Sequence, residues 1–191
     1  LSKVKPGMIP GVTEITPGQA DKNATIAVVL PHFEAALNSG RLGTHNIYPD
    51  IDGIVREYRL FHDDYGWKLP SLPLAIGNAL GDKVPPAQSI TLNWRGQPFT
   101  YQYVSFSDVM LDMGSKVKER PQDEFTGKIV IIGSTAPSLF DLKATPMAKI
   151  HPGVEILATA IDNIKHDDYL RVWRGVLPYI TLSLLLIWVT T

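Results

Sequence analysis

Cysteine is missing from all 191 residues, which excludes thiolate nucleophiles, disulfides and cysteine-based zinc or iron–sulfur sites. The absence is silent about compartment, because a protein in an oxidising space need not carry disulfides. An excess of charge of either sign is also missing. Eighteen lysines and arginines oppose nineteen aspartates and glutamates, for a formal net charge of −1. There is neither the basic stripe of a nucleic-acid binder nor an acidic tail, so nucleic acid is not an expected partner. No internal repeat and no low-complexity run occurs. No GxGxxG is present, and Gly127-Lys128 precedes an apolar run instead of opening a helix, so there is no Walker A loop. The chain opens at Leu1 with neither an initiator methionine nor a hydrophobic leader, and it is expected to be a piece of something longer.

What is present suits one domain with a real core: 45% of the residues are hydrophobic. The most informative stretch is Gly127 to Asn163. Ile129-Val130-Ile131-Ile132 is an unbroken β-branched run that predicts a central parallel strand, buried on both faces. After Gly133, Ser134-Thr135-Ala136-Pro137 opens a loop of about twenty residues, long enough to be functional. It holds prolines 137, 146 and 152. Pro152-Gly153 punctuates, and Val154, Ile156, Leu157, Ala160, Ile161 and Ile164 recur at helical spacing through Lys165.

Upstream, Leu1 to Asn23 reads as loop or a weak edge hairpin, Ala24 to Leu30 as a short strand, and Phe33 to Asn38 as one or two helical turns. Asn46-Ile47-Tyr48 and Ile54 to Phe61 read as a hairpin about Pro49 to Gly53, with a second turn at His62 to Gly66. Ser71 is placed to cap a helix from Leu72 to Leu80, with Gly81 beyond its end and Leu72, Ala75, Ile76 and Ala79 as its buried stripe. Ile90 to Trp94 and Phe99 to Val104 read as another hairpin, Ser107 as the cap of a short helix through Leu111, and Lys116 to Glu124 as a charged surface crossing. At the other end, Gly175 to Thr191 is seventeen residues without a charge. A bilayer span needs roughly 20, so this is read as a transmembrane helix cut short, flanked by Arg171 and Arg174. A buried C-terminal helix is the alternative.

Several clusters have chemical potential. Asp50, Asp52, Gly53 and Glu57 faintly resemble a calcium loop, but the spacing lacks the later ligands, and Asp and Gly also simply form turns. His62, Asp63 and Asp64 fit a metal or a solvated turn equally. Ser134, Asp141 and His151 follow the Ser, Asp, His order of hydrolases. The nucleophile elbow is absent, however, and ten residues from Asp141 to His151 is too local. Otherwise Asp141 and Thr145 would hydrogen-bond the loop backbone, with Lys143 exposed. His166, Asp167 and Asp168 read as a solvated helix end or a pH-sensing group.

The run GKIVIIGSTAPSLFDLKATP followed by HPGVEILATAIDNI resembles the CHASE type-2 family, the second class of cyclase and histidine-kinase associated sensory extracellular domains. Gly43 to Arg56 and Leu69 to Ile76 agree with it, and Trp94 to Val109 agrees more weakly. The resemblance covers roughly residues 24 to 170. It implies an α/β fold with a mixed sheet and flanking helices: residues 1–170 as the C-terminal part of a sensory domain, and 171–191 as linker and the first part of a transmembrane helix. It further implies a position outside the cytoplasm and covalent linkage to a cytoplasmic adenylate or guanylate cyclase, histidine kinase or Ser/Thr kinase. This fragment would itself be no enzyme. A homodimer, the membrane and an unidentified small-molecule ligand are the implied partners, with no cofactor and no metal. The matching motif residues are Gly133, Ser134, Thr135, Asp141, Thr145, Pro146, Gly153 and Glu155. One departure is that Arg171 and Arg174 lie on the side the family places outside, against positive-inside counting. The rival readings are a membrane-anchored hydrolase using Ser134, Asp141 and His151, and a structural ectodomain that sets dimer geometry.

Overall fold

Alternating short strands and helices dominate the computed structural model, which describes residues 2–31, 33–135, 141–171 and 176–190. The class is mixed α/β, built from several small sheets. Strand β1 (Ser2–Val4) pairs antiparallel with β3 (Ile26–Val28), and the four-residue helix α1 (Glu34–Leu37) follows. Strands β5 (Phe61–Asp64) and β6 (Trp67–Pro70) form a hairpin, and β2 (Thr13–Glu14) pairs with the other side of β6. Its turn is tighter than the predicted His62–Gly66. Only Tyr65 (φ 57°) and Gly66 (φ 81°) lie between the strands, both left-handed, as a two-residue turn matched to strand twist requires. Asp63 Oδ1 accepts from the Gly66 N–H at 2.9 Å.

A second row of strands positions the site. Strand β4 (Glu57–Arg59) pairs antiparallel with β7 (Ser89–Thr91), and β8 (Leu142–Lys143) with β9 (His151–Pro152). A parallel bridge from Ile54 to Ala144 links these two pairs, and an antiparallel bridge from Thr91 to Leu170 lays a later stretch of the chain beside β7. The expected mixed sheet therefore exists in pieces. Against it pack helices α2 (Leu72–Leu80) and α4 (Gly153–His166). The core joins Val55, Tyr58, Leu60, Ile90 and Leu92 from the strands and the residues leading from them to Leu74 of α2 and Ile156, Leu157, Ala160, Ile161 and Ile164 of α4.

Local signals placed the helices well. Ser71 Oγ accepts from the Leu74 N–H at 3.4 Å, and Gly81 closes α2 in the left-handed region at φ 76°. The buried face of α2 is shifted from the predicted stripe: Leu74 is buried and Ala79 exposed. Helix α3 (Phe106–Gly114) is capped by Ser105, not Ser107, and runs past Leu111.

Three strand predictions fail for one reason. Ile129 to Ile132 is not a strand. Among the described residues no chain pairs with it, and Ile129, Val130 and Ile132 are 38, 52 and 78% exposed, with Ile131 alone packed on the core. A β-branched run becomes a strand only where a neighbour takes its N–H and C=O groups. Likewise Phe99 to Val104 forms no hairpin with β7, and Asn46 to Tyr48 forms none about Pro49–Gly53.

The apolar C-terminal stretch forms helix α5 (Leu177–Thr190). Among the described residues no helix is long and apolar enough to cross a membrane, so the expected truncated span stands at fourteen residues of helix.

Candidate functional site

Helix α4 carries two stripes. The apolar one faces the core. Beside it Glu155, Thr159 and Asn163, spaced four residues apart and hence stacked on one face, are all buried, at 2, 2 and 0% exposure. Buried polar groups need partners, and an irregular strap of residues 93–103 supplies them. Glu155 Oε2 accepts from the Phe99 N–H at 2.8 Å and Oε1 from the Tyr101 N–H at 3.5 Å. The Tyr101 hydroxyl donates to Thr159 Oγ1 at 3.3 Å. Asn163 Oδ1 accepts from the Asn93 N–H at 2.8 Å, and its amide donates to the Asn93 carbonyl at 3.1 Å. Donors of residues 99–101 that a hairpin would have used are spent on a helix side chain. That is why the predicted second strand does not form.

The long loop meets the start of α4. It is not structureless, since β8 and β9 pair within it. The Asp141 carbonyl accepts from the Gly153 N–H at 2.8 Å. The Asp141 carboxylate lies against the Gly153 Cα, where a Cβ would collide with it, and there a negative charge meets the positive end of the helix dipole. Thr145, 6% exposed, is the hub of the loop. Its Oγ1 accepts from the Met147 and Ala148 N–H groups at 3.3 and 3.2 Å and lies 3.0 Å from His151 Nδ1. His151 Nε2 is 3.2 Å from Glu155 Oε2. A carboxylate only accepts, so Nε2 carries the proton, and Nδ1 accepts from the Thr145 hydroxyl. Trp94 covers the ring at 5.2 Å between centroids.

Burial pushes His151 below its ordinary value, against the pull of Glu155. Burial and the Glu155 charge push Tyr103 up to about 12. His62 is lowered as well, by burial and then Arg59. A histidine held neutral in the fold but free to protonate when unfolded makes the unfolded state bind more protons at acid pH. Its contribution is present above the unfolded value of about 6.5 and lost as pH falls below it. Stability of the chain should therefore decline as pH drops from about 6.5 towards 5. In His151→Gln the slope of unfolding free energy against pH should shrink in that window, leaving the His62 share. An unchanged slope would remove His151 from the account.

Of the eight motif residues, Asp141, Thr145, Gly153 and Glu155 converge at the start of α4. Gly133 sits against Val154, where a Cβ would fall 2.7 Å from its Cγ2. Ser134, Thr135 and Pro146 are exposed, and residues 136–140 of the same loop lie outside the described residues. Lys143, expected to be exposed, is half-buried. The proposed triad does not assemble around His151, because both ring nitrogens are engaged by Thr145 and Glu155. The calcium reading also fails: Arg56 donates to Asp50 Oδ2 at 2.7 Å and to Asp52 Oδ2 at 2.6 Å, and its hydrogen bonds hold Asp52 down to about 2. Among the described residues no cluster could hold a metal ion. The gap among Trp94, Tyr101, His151 and Glu155 leaves no room for a water molecule.

At the far end of α4, Arg95 Nε donates to Asp162 Oδ2 at 2.5 Å and Nη2 to Asp168 Oδ1 at 2.9 Å. The helix end is thus tied down by a partner about seventy residues earlier and is not simply solvated. Arg95, Asn93 and Asn163 were not singled out from the sequence. The available signal was polar residues at four-residue spacing inside an apolar helix. A family model described as the CHASE2 domain matches residues 9–191. Neither a curated protein nor a solved structure matches the chain.

Proposed function

Because the chain belongs to the CHASE2 domain family, a family of sensory extracellular-type domains of signalling receptors, we propose that residues 1–170 are the extracytoplasmic input part of one such receptor. Residues 171–191 are then linker and the start of a membrane helix, and the effector is a cytoplasmic adenylate or guanylate cyclase, histidine kinase or Ser/Thr kinase. The receptor works as a homodimer, a small molecule is the signal, and chemistry belongs to the effector and not to this fragment. The observation that carries the reading is the position of α4. Its first turn is bonded to the family loop through Asp141, Thr145 and His151, and its end leads in sequence to α5. All described side chains of α5 are exposed and uncharged, as suits a helix surrounded by lipid. A signal that shifts the loop therefore has a rigid lever on which to act.

Because residues 1–191 hold no cysteine, a single thiol introduced among them tests placement against the unsubstituted receptor. Lys22→Cys, at an exposed position, should react with a membrane-impermeant maleimide in intact cells, and labelling only after lysis would overturn the placement. Alanine at Asp141 or Thr145 should shift the receptor's cyclase or kinase output. Unaltered output from correctly inserted variants would sink the sensing role of the loop.

A further inference from the structure

The exit of α4 is held in two chemically different ways. The first is centred on a buried side chain. Asn163, 0% exposed, grips both backbone groups of Asn93, and its amide also reaches Asp168 Oδ1 at 3.4 Å; the grip on Asn93 cannot open without stranding amide groups. The second is half in water. Arg95 reaches across the turn after α4, with Asp162 on the helix at one side and Asp168 beyond the turn at the other. The side chains are 25, 25 and 37% exposed. Between them Asp167 sits in the left-handed region at φ 51°, a conformation that residues other than glycine seldom adopt. Beyond them the Asn93 amide donates to the Asp168 carbonyl at 3.0 Å, and the Leu170 N–H donates to the Thr91 carbonyl at 2.9 Å, laying the exit chain on the edge of β7. Lys83 and Arg171 lie 3.8 and 3.7 Å from Asp167 with side chains 84 and 73% exposed, and His166 Nδ1 lies 2.9 Å from Asp162 Oδ1 with its side chain 55% exposed. Ion pairs this solvated are screened and individually weak. Arg95 differs in bridging two carboxylates with directed hydrogen bonds.

We propose that Arg95, Asp162 and Asp168 form an electrostatic latch that holds residues 167–171 against β7, and that its opening, with Asn163 and Asn93 as the fixed hinge, is the step by which the sensory domain moves the chain leading to α5. This deepens the sensory reading and rests on it. The latch opens without unfolding α4, because Ile156, Ile161 and Ile164 anchor that helix in the core independently of Arg95.

The Leu170 amide reads the latch directly, because its proton is protected by Thr91. In the full chain held in detergent micelles, Arg95→Met should speed hydrogen exchange at Leu170 by about tenfold while leaving exchange at Ala160, Ile161 and Ile164 unchanged. Arg95→Lys, able to meet one carboxylate at a time, should fall between. Raising the salt concentration should speed Leu170 exchange in the unsubstituted chain but not in Arg95→Met, a response that a purely packing role would not produce. In the receptor, basal output should shift in the same order, Met beyond Lys. Unaltered Leu170 exchange in Arg95→Met, or loss of protection throughout α4 in both variants, overturns the latch. If exchange responds and output does not, while deleting residues 1–170 does change output, the latch is wrong and the sensory reading stands. If neither changes output, both fall.

Discussion

Replacing Glu155 by alanine should cost about 3–5 kcal/mol of folding stability. The carboxylate is 2% exposed and receives the Phe99 and Tyr101 N–H groups and the His151 Nε2–H. The His151 ring is 4% exposed, and an unmet buried donor costs about 1–3 kcal/mol. The loss is a large share of the ~5–15 kcal/mol that holds a typical domain together. Glutamine is the informative control. Its single acceptor oxygen can serve Phe99, but its NH₂ then faces donors, so the cost should be smaller, about 1–3 kcal/mol. Urea unfolding of the full chain in detergent, followed by tryptophan fluorescence, reads both, since Trp94 covers His151. A loss below about 1 kcal/mol for the alanine variant would mean that the strap finds other partners.

Gly43→Ala should be nearly as damaging, at about 3 kcal/mol or more, the upper range for overpacking. A Cβ on Gly43 would fall against the Leu72 N and Cα and the Ser71 carbonyl carbon, which are backbone and not a yielding side-chain tip. That backbone is held on both sides: the Thr44 N–H donates to Pro70 at 2.9 Å, and the Leu72 N–H donates to Thr44 at 2.8 Å. Making room means breaking the bridge that starts α2. Gly114→Ala is the contrast, because nothing lies within 4 Å of its Cβ position and it ends α3 in ordinary helical space. It should be neutral or stabilising by up to about 1 kcal/mol. Equal effects for the two substitutions would show that Gly43 is retained for some reason other than close approach.

These two positions mark how much could be read before folding. Gly43 lies in a segment that matched the family, yet its role depends on Leu72, twenty-nine residues later, and no local pattern predicts that approach. Glu155 was recognised as part of a motif, but its partners in the strap were not. The strap itself was misread as a strand because Phe99 to Val104 has the aromatic and β-branched composition of one. Ile129 to Ile132 was misread by the same rule. By contrast the α2 and α4 boundaries were legible to within a residue or two, because helix ends are set by chemistry local in sequence: Ser71, Gly81 and Pro152-Gly153.

The sequence alone settled what is local or subtractive. It ruled out thiol and disulfide chemistry within these residues, showed no electrostatic case for nucleic acid, placed the helices, located the apolar stretch that became α5, and supported the family through one contiguous block around the loop and α4. Tertiary structure decided which donors meet which acceptors. It took the hydrogen bonds of residues 99–101 from a sheet and gave them to Glu155, divided His151 between Thr145 and Glu155 in place of a catalytic triad, and brought Arg95 onto Asp162 and Asp168. The division has a physical cause. Turns, caps and helical faces depend on residues three or four apart, whereas strand pairing and buried polar contacts depend on partners that only the folded chain brings within hydrogen-bonding distance.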